Sequence, residues 1–119
     1  MESNTYLIEI INKRTHPHLK GEYIGRPSIL GNPFIIGRDG TRYEVVVKYK
    51  EWLKSKLEAV DMPILKELER LTYILDEGKL KLICYCAPKL CHGEVLAHII
   101  SFGSGLHDQE EDKLVIRNE

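Results

Sequence analysis

Within nine residues, from Cys84 to His92, lie all three cysteines of this 119-residue chain and one of its five histidines. A thiolate is a nucleophile and a metal ligand, and an imidazole moves protons or binds metal. The run Leu80-Lys81-Leu82-Ile83-Cys84-Tyr85-Cys86 reads as a buried strand, Pro88 stops it, and a helix begins near His92. Side chains alternate along a strand, so Cys84 and Cys86 share one face and Tyr85 takes the other. Apolar residues on both faces predict an interior strand covered twice. With Cys91 as N-cap, Glu94 falls at the position of a capping-box glutamate. Free N–H groups at such a helix start favour anions and lower a thiol's pKa.

Three chemistries are open to this cluster. In the first, backbone N–H groups near Cys91, His92 and Gly93 cradle a phosphate, with Arg26, Arg38, Arg42 and Lys89 available for charge pairing. In the second, Cys91 is a nucleophile with a lowered pKa and His92 or another histidine shuttles protons. In the third, Cys84, Cys86, Cys91 and His92 hold zinc. Their C-x-C-x4-C-H spacing departs from the paired C-x2-C knuckles of tetrahedral sites, and adjacent Cys91 and His92 are awkward on one ion. Cys84 and Cys86 also read simply as small core residues. His16 and His18, spaced HxH, are exposed loop histidines or weak metal candidates.

A second stretch bears on the same site. Residues 23–34 carry two glycines, two prolines and an asparagine among apolar residues, which predicts an ordered loop. Such a loop either covers the core or lays Arg26 and backbone N–H groups around a ligand.

The positioning elements follow from periodicity. Residues 6–11 read as a first strand, residues 12–21 as a loop, and residues 35–40 as a short strand or turn. Thr41 caps a helix whose stripe is Arg42, Val46, Tyr49, Leu53 and Leu57. Arginine in a first turn opposes the helix dipole, so Arg42 should meet a carboxylate or reach into a site. Tyr49 and Trp52 read as core. Asp61 and Pro63 start a second helix with stripe Ile64, Leu68, Leu71 and Leu75, ended by Gly78. The last helix spans about 92–102, ended by Gly103 and Gly105. Residues 107–112 form an acidic, mobile tail, and 113–116 a last edge strand.

Net charge of -1 argues against general nucleic-acid binding. No apolar run approaches a membrane span and residues 1–4 lack a signal peptide's features, so no membrane partner is expected. An odd cysteine count, with a C-x-C pair poorly placed for a disulfide, points to a reducing cytoplasm. The length suits one domain, residues 1–119.

Taken together the motifs resemble a small domain of bacteria and their phages known as domain of unknown function 4326. Arg26-Pro27 and Leu30-Gly31-Asn32-Pro33-Phe34 match its first motif. Arg42, Tyr49 and Trp52-Leu53 match its helix. Cys84-Tyr85-Cys86-Ala87-Pro88 and Cys91-His92-Gly93-Glu94 match its last motif, with Tyr85 where tryptophan is more usual. The likeness covers roughly residues 6–102 and brings no reaction with it. It implies that the 26–34 loop, Arg42 and the cysteine–histidine loop form one site.

The expected fold is therefore α/β, a small three-layer sandwich with a Rossmann-like, mostly parallel sheet. The expected catalytic residues are Cys91 and His92. Arg26, Asn32, Arg42, Cys86, Pro88, Gly93 and Glu94 are the expected ligand-binding set, with no metal ligand assigned and no cofactor named. The expected partner is a nucleotide or similar phosphorylated small molecule, bound and processed or only bound. A cysteine-dependent enzyme on a small molecule or modified base is the alternative. A non-catalytic phage protein that sequesters a nucleotide signal or blocks a host partner is the third, and a homo-oligomer is compatible with each.

Overall fold

Three short parallel strands and three helices make up the computed structural model, which describes residues 7–102 and 114–118. The order is β1 (Ile8–Asn12), β2 (Glu22–Tyr23), α1 (Arg42–Glu58), α2 (Met62–Asp76), β3 (Leu80–Cys84) and α3 (Gly93–Phe102). The sheet order is β1-β3-β2, with both pairings parallel. The chain is thus an α/β protein with a small parallel sheet and the cysteine-bearing strand at its centre.

β3 is buried on both faces, as its apolar composition demands. Leu80, Leu82 and Cys84 join the main hydrophobic cluster, and Ile83 is buried on the opposite side. There the chain passes at Gly21, where a Cβ would meet Lys81 O at 2.7 Å.

The strand stops at Cys84 instead of continuing to Cys86. Asn12, the last residue of β1, pairs with Cys84, and Lys13 N donates to Cys84 O at 2.8 Å. Beyond that point Asn12 Nδ2 donates to Tyr85 O and Ala87 O at 3.3 and 2.9 Å. The N–H groups of Cys86 and Ala87 turn back onto Cys84 Sγ instead of extending the ladder. Tyr85 is consequently 47% exposed and Cys86 half-buried, where a buried Cys86 and an inward Tyr85 were expected.

The helices match their stripes. Thr41 and Glu44 form a reciprocal capping box, and Val45, Val46, Tyr49, Leu53 and Leu57 are the buried face of α1. In α2 the Asp61 side chain accepts from Ile64 N, and Ile64, Leu68, Leu71 and Leu75 are buried. Gly78 follows its C-cap with φ 152, which a residue with a Cβ rarely adopts.

Other boundaries differ. Strand β2 is two residues long, too short for any period to show, and lies where the loop was expected to begin. Residues 35–40 are a turn, one of the two forms expected: Asp39 Oδ2 accepts from Ile35 N at 2.8 Å, and Ile36 and Gly40 make an isolated bridge. Residues 114–118 are not strand. Leu114 and Ile116 pack, half-buried, against the core instead of pairing. Gly103, Gly105, the acidic 107–112 segment and Lys113 lie outside the described residues. Among the described residues no helix is long and apolar enough to cross a membrane.

Candidate ligand cavity and thiol pair

A cavity of about 430 Å³ opens beyond the carboxyl ends of β2 and β3. Its polar lining is Arg26, Asn32, Arg42, Cys84, Cys86, Cys91 and His92. Phe34, Ile36, Val46 and Leu90 are among its apolar walls, and Tyr23 and Tyr85 also line it. The volume lies within the range of small-molecule sites.

The two arginines arrive from different elements. Arg42 is the first residue of α1, and its Nη1 donates to Leu90 O at 3.1 Å, just before Cys91. Arg26 Nη1 donates to Asn32 O at 2.8 Å and Phe34 O at 3.4 Å. Among the described residues neither guanidinium has a carboxylate partner. Arg42 lines the cavity instead of meeting a carboxylate.

The loop that carries Arg26 is held by its own turns and by α1. Ser28 N donates to Gly25 O and Gly31 N to Ser28 O, at 2.8 and 2.9 Å. A Cβ on Gly31 would sit 2.9 Å from Arg26 N, so the chain's close return on itself requires glycine. Asn32 is buried, with Nδ2 donating to Val45 O at 3.1 Å and Oδ1 accepting from Phe34 N at 2.9 Å. Its side chain ties the loop to α1. Replacing Asn32 by Ala should cost about 1–3 kcal/mol in denaturant unfolding, because buried partners lose their bonds. A loss below about 0.5 kcal/mol would remove Asn32 from this role.

His92 is buried, with Nε2 at 2.7 Å from Ile24 O and the ring edge-on to Tyr49 at 4.8 Å between centroids. A carbonyl only accepts, so Nε2 carries the proton and Nδ1 holds the free lone pair. Burial first, and then the Arg26 charge, push the imidazole below its ordinary 6.5. The ring is neutral at pH 7.

The thiols divide their roles unevenly. Cys91 Sγ lies 3.7 Å from Cys84 Sγ and donates to it. Cys84 Sγ also receives the N–H groups of Cys86 and Ala87, each at 3.4 Å. The Cys91 hydrogen bond, followed by these two backbone donors, pulls Cys84 down to about 6. The same hydrogen bond and burial push Cys91 far up. The shared hydrogen bond thus favours the charged form of Cys84 and the protonated form of Cys91. This reverses the expectation that Cys91 is the acidic thiol.

A family model described as a domain of unknown function (DUF4326) matches residues 10–102. The chain belongs to this family. No curated protein and no solved structure matches it. In this DUF4326 chain Arg26, Arg42 and the cysteine–histidine loop, distant in sequence, meet at one cavity.

Of the expected site residues, Arg26, Asn32, Arg42, Cys86, Cys91 and His92 line that cavity, and Pro88, Gly93 and Glu94 do not. Gly93 is a packing position, where a Cβ would come within 3.1 Å of Ile24 Cδ1 and 3.2 Å of Cys91 Sγ. Its N–H donates to Cys91 Sγ, while Glu94 N donates to Cys91 O and Val95 N to His92 O. The N–H of Gly93 is therefore not free to cradle a phosphate. The helix begins at Gly93, and the Glu94 carboxylate pairs with Arg117 at 2.7 Å instead of closing a capping box. Arg117 also donates to Pro88 O at 2.7 Å. Arg38 is turned to Asp39, whose carboxyl it holds below the usual range. Among the described residues no three Cys, His, Asp or Glu side chains converge as a metal ion requires.

Sequence reasoning passed over Cys84 as a packing thiol. The available signal was its place three residues before a strand-breaking Ala87-Pro88, where free N–H groups must find an acceptor. It also overlooked Tyr23, whose ring stands edge-on to Tyr85 at 6.0 Å and whose hydroxyl donates to Arg26 O at 2.8 Å.

Proposed function

We propose that the cavity binds a nucleotide or closely related phosphorylated small molecule. One observation carries this reading: Arg26 and Arg42, without carboxylate partners among the described residues, line one otherwise largely apolar cavity. Guanidinium groups are suited to bidentate phosphate recognition, and their unmatched charge calls for an anion. Phe34, Ile36, Tyr23 and Tyr85 offer apolar and aromatic surface to the organic part of such a ligand. The position past the carboxyl ends of β2 and β3 suits a Rossmann-like sandwich, in which ligands bind at that edge.

Thermal-shift and calorimetric titration with inorganic phosphate and nucleoside mono-, di- and triphosphates tests this. At least one nucleotide should bind, more tightly than phosphate. Arg26→Ala or Arg42→Ala should weaken it by about 1.5–3 kcal/mol, roughly 10- to 100-fold. Binding by no member of the panel sinks the reading, and unchanged binding in both variants makes the arginines structural.

The Cys84 thiolate favours a second reading, a cysteine-dependent enzyme acting on the bound molecule or on a modified base. Cys84 would attack and His92 Nδ1 would accept a proton. Cys84→Ser would then abolish turnover and leave affinity nearly intact. Recovery of the ligand unchanged after prolonged incubation would favour sequestration without catalysis.

A further inference from the structure

We infer that Cys84 and Cys91 are a peroxide-oxidisable dithiol that closes into an intramolecular disulfide in the wall of the cavity. The inference stands apart from the nature of the bound ligand. The two sulfurs are 3.7 Å apart and already joined by an S–H···S hydrogen bond. Closing to a disulfide length of about 2.05 Å needs side-chain rotation and a small shift of the loop that carries Cys91. Both side chains line the cavity while being only 2% and 3% exposed. A small hydroperoxide entering the cavity therefore has access that a bulky protein thiol lacks. No hydrogen bond joins the Cys86 sulfur to either, so Cys91 is the resolving thiol.

The chemistry balances in two steps. The Cys84 thiolate attacks one oxygen of the hydroperoxide, the O–O bond breaks, and the departing alkoxide or hydroxide takes a proton from solvent. Cys84 is now a sulfenic acid, oxidised by two electrons while the peroxide is reduced. The Cys91 sulfur then attacks the Cys84 sulfur, the S–O bond breaks, and hydroxide leaves with the Cys91 proton as water. Donors on Cys84 Sγ favour the thiolate needed for the first step, and the protonated Cys91 waits for the second.

The test uses the full chain, reduced, freed of reductant and exposed to hydrogen peroxide before alkylation and peptide mapping. The expected product is a monomer that has lost two hydrogens, with a Cys84–Cys91 disulfide as the main Cys84 species and Cys86 alkylated. In Cys91→Ser, oxidation should stop at a Cys84 sulfenic acid that dimedone captures. The unsubstituted chain decides the matter even if that variant fails to fold. Cys84 and Cys91 both alkylated as in the untreated protein, a disulfide that uses Cys86, or a disulfide between chains would each overturn the inference.

Discussion

Tyr49→Ala should destabilise the protein by about 3–5 kcal/mol, the cost of emptying a buried aromatic site. The side chain has no exposed surface and connects three parts of the structure. Its ring packs tilted on Trp52 at 5.5 Å and edge-on to His92 at 4.8 Å. Its hydroxyl donates to Leu30 O at 2.7 Å, tying α1 to the loop that carries Arg26. Burial pushes the phenol well above its ordinary value, so it remains a donor at every working pH. Tyr49→Phe keeps the volume and removes only that donor, and should cost about 1–3 kcal/mol by leaving Leu30 O unpaired. Urea unfolding of both variants measures the two contributions. A loss under about 1 kcal/mol for Tyr49→Ala would contradict the placement of this residue in the buried core.

The second large effect concerns Cys84. Its thiol is drawn below its ordinary value by the Cys91 hydrogen bond and the N–H groups of Ala87 and Cys86, which raises its thiolate fraction at pH 7. A free cysteine is only a few per cent ionised there. An ultraviolet thiolate titration should show one thiol ionising near pH 6, lost in Cys84→Ala and moved upward in Cys91→Ser. Titration of all three thiols above pH 8 would refute the assignment.

Linkage gives the same pair a pH-dependent stability. Cys84 ionises at 9.0 when unperturbed and near 6 in the fold, so its contribution is full above about 9 and is lost as pH falls toward 6. His92 acts in the same direction lower down: it is held neutral in the fold, and its contribution is lost as pH falls below 6.5. Cys91 has the opposite sign, because its raised pKa keeps a proton that the unfolded chain gives up above 9.0. The melting temperature should therefore climb between pH 6 and about 9 and decline beyond it. Cys84→Ala should flatten the rise, and a slope unchanged by that substitution would contradict the linkage.

Local patterning made much of this protein legible in its sequence. The stripe Ile64, Leu68, Leu71 and Leu75, the Thr41 and Asp61 caps and the Gly78 stop depend on neighbours within a turn or two, so periodicity finds them. The central place of residues 80–84 followed from apolar residues on both faces. Association of Arg26, Arg42 and the cysteine–histidine loop was readable from the family motifs, and the helical stripe placed Arg42 facing inward.

Tertiary structure alone decided which thiol is acidic. A helix start beside Cys91 suggested a lowered pKa, but its N–H groups serve the loop itself, and Cys91 becomes a donor to Cys84. That outcome depends on Asn12, over seventy residues earlier, drawing the chain out of the sheet after Cys84 so that two N–H groups face its sulfur. Likewise Glu94 turns to Arg117, and Asn32 to Val45, through contacts that no local period encodes. The sequence determined which residue types meet; the packing of distant segments decided who donates and who accepts.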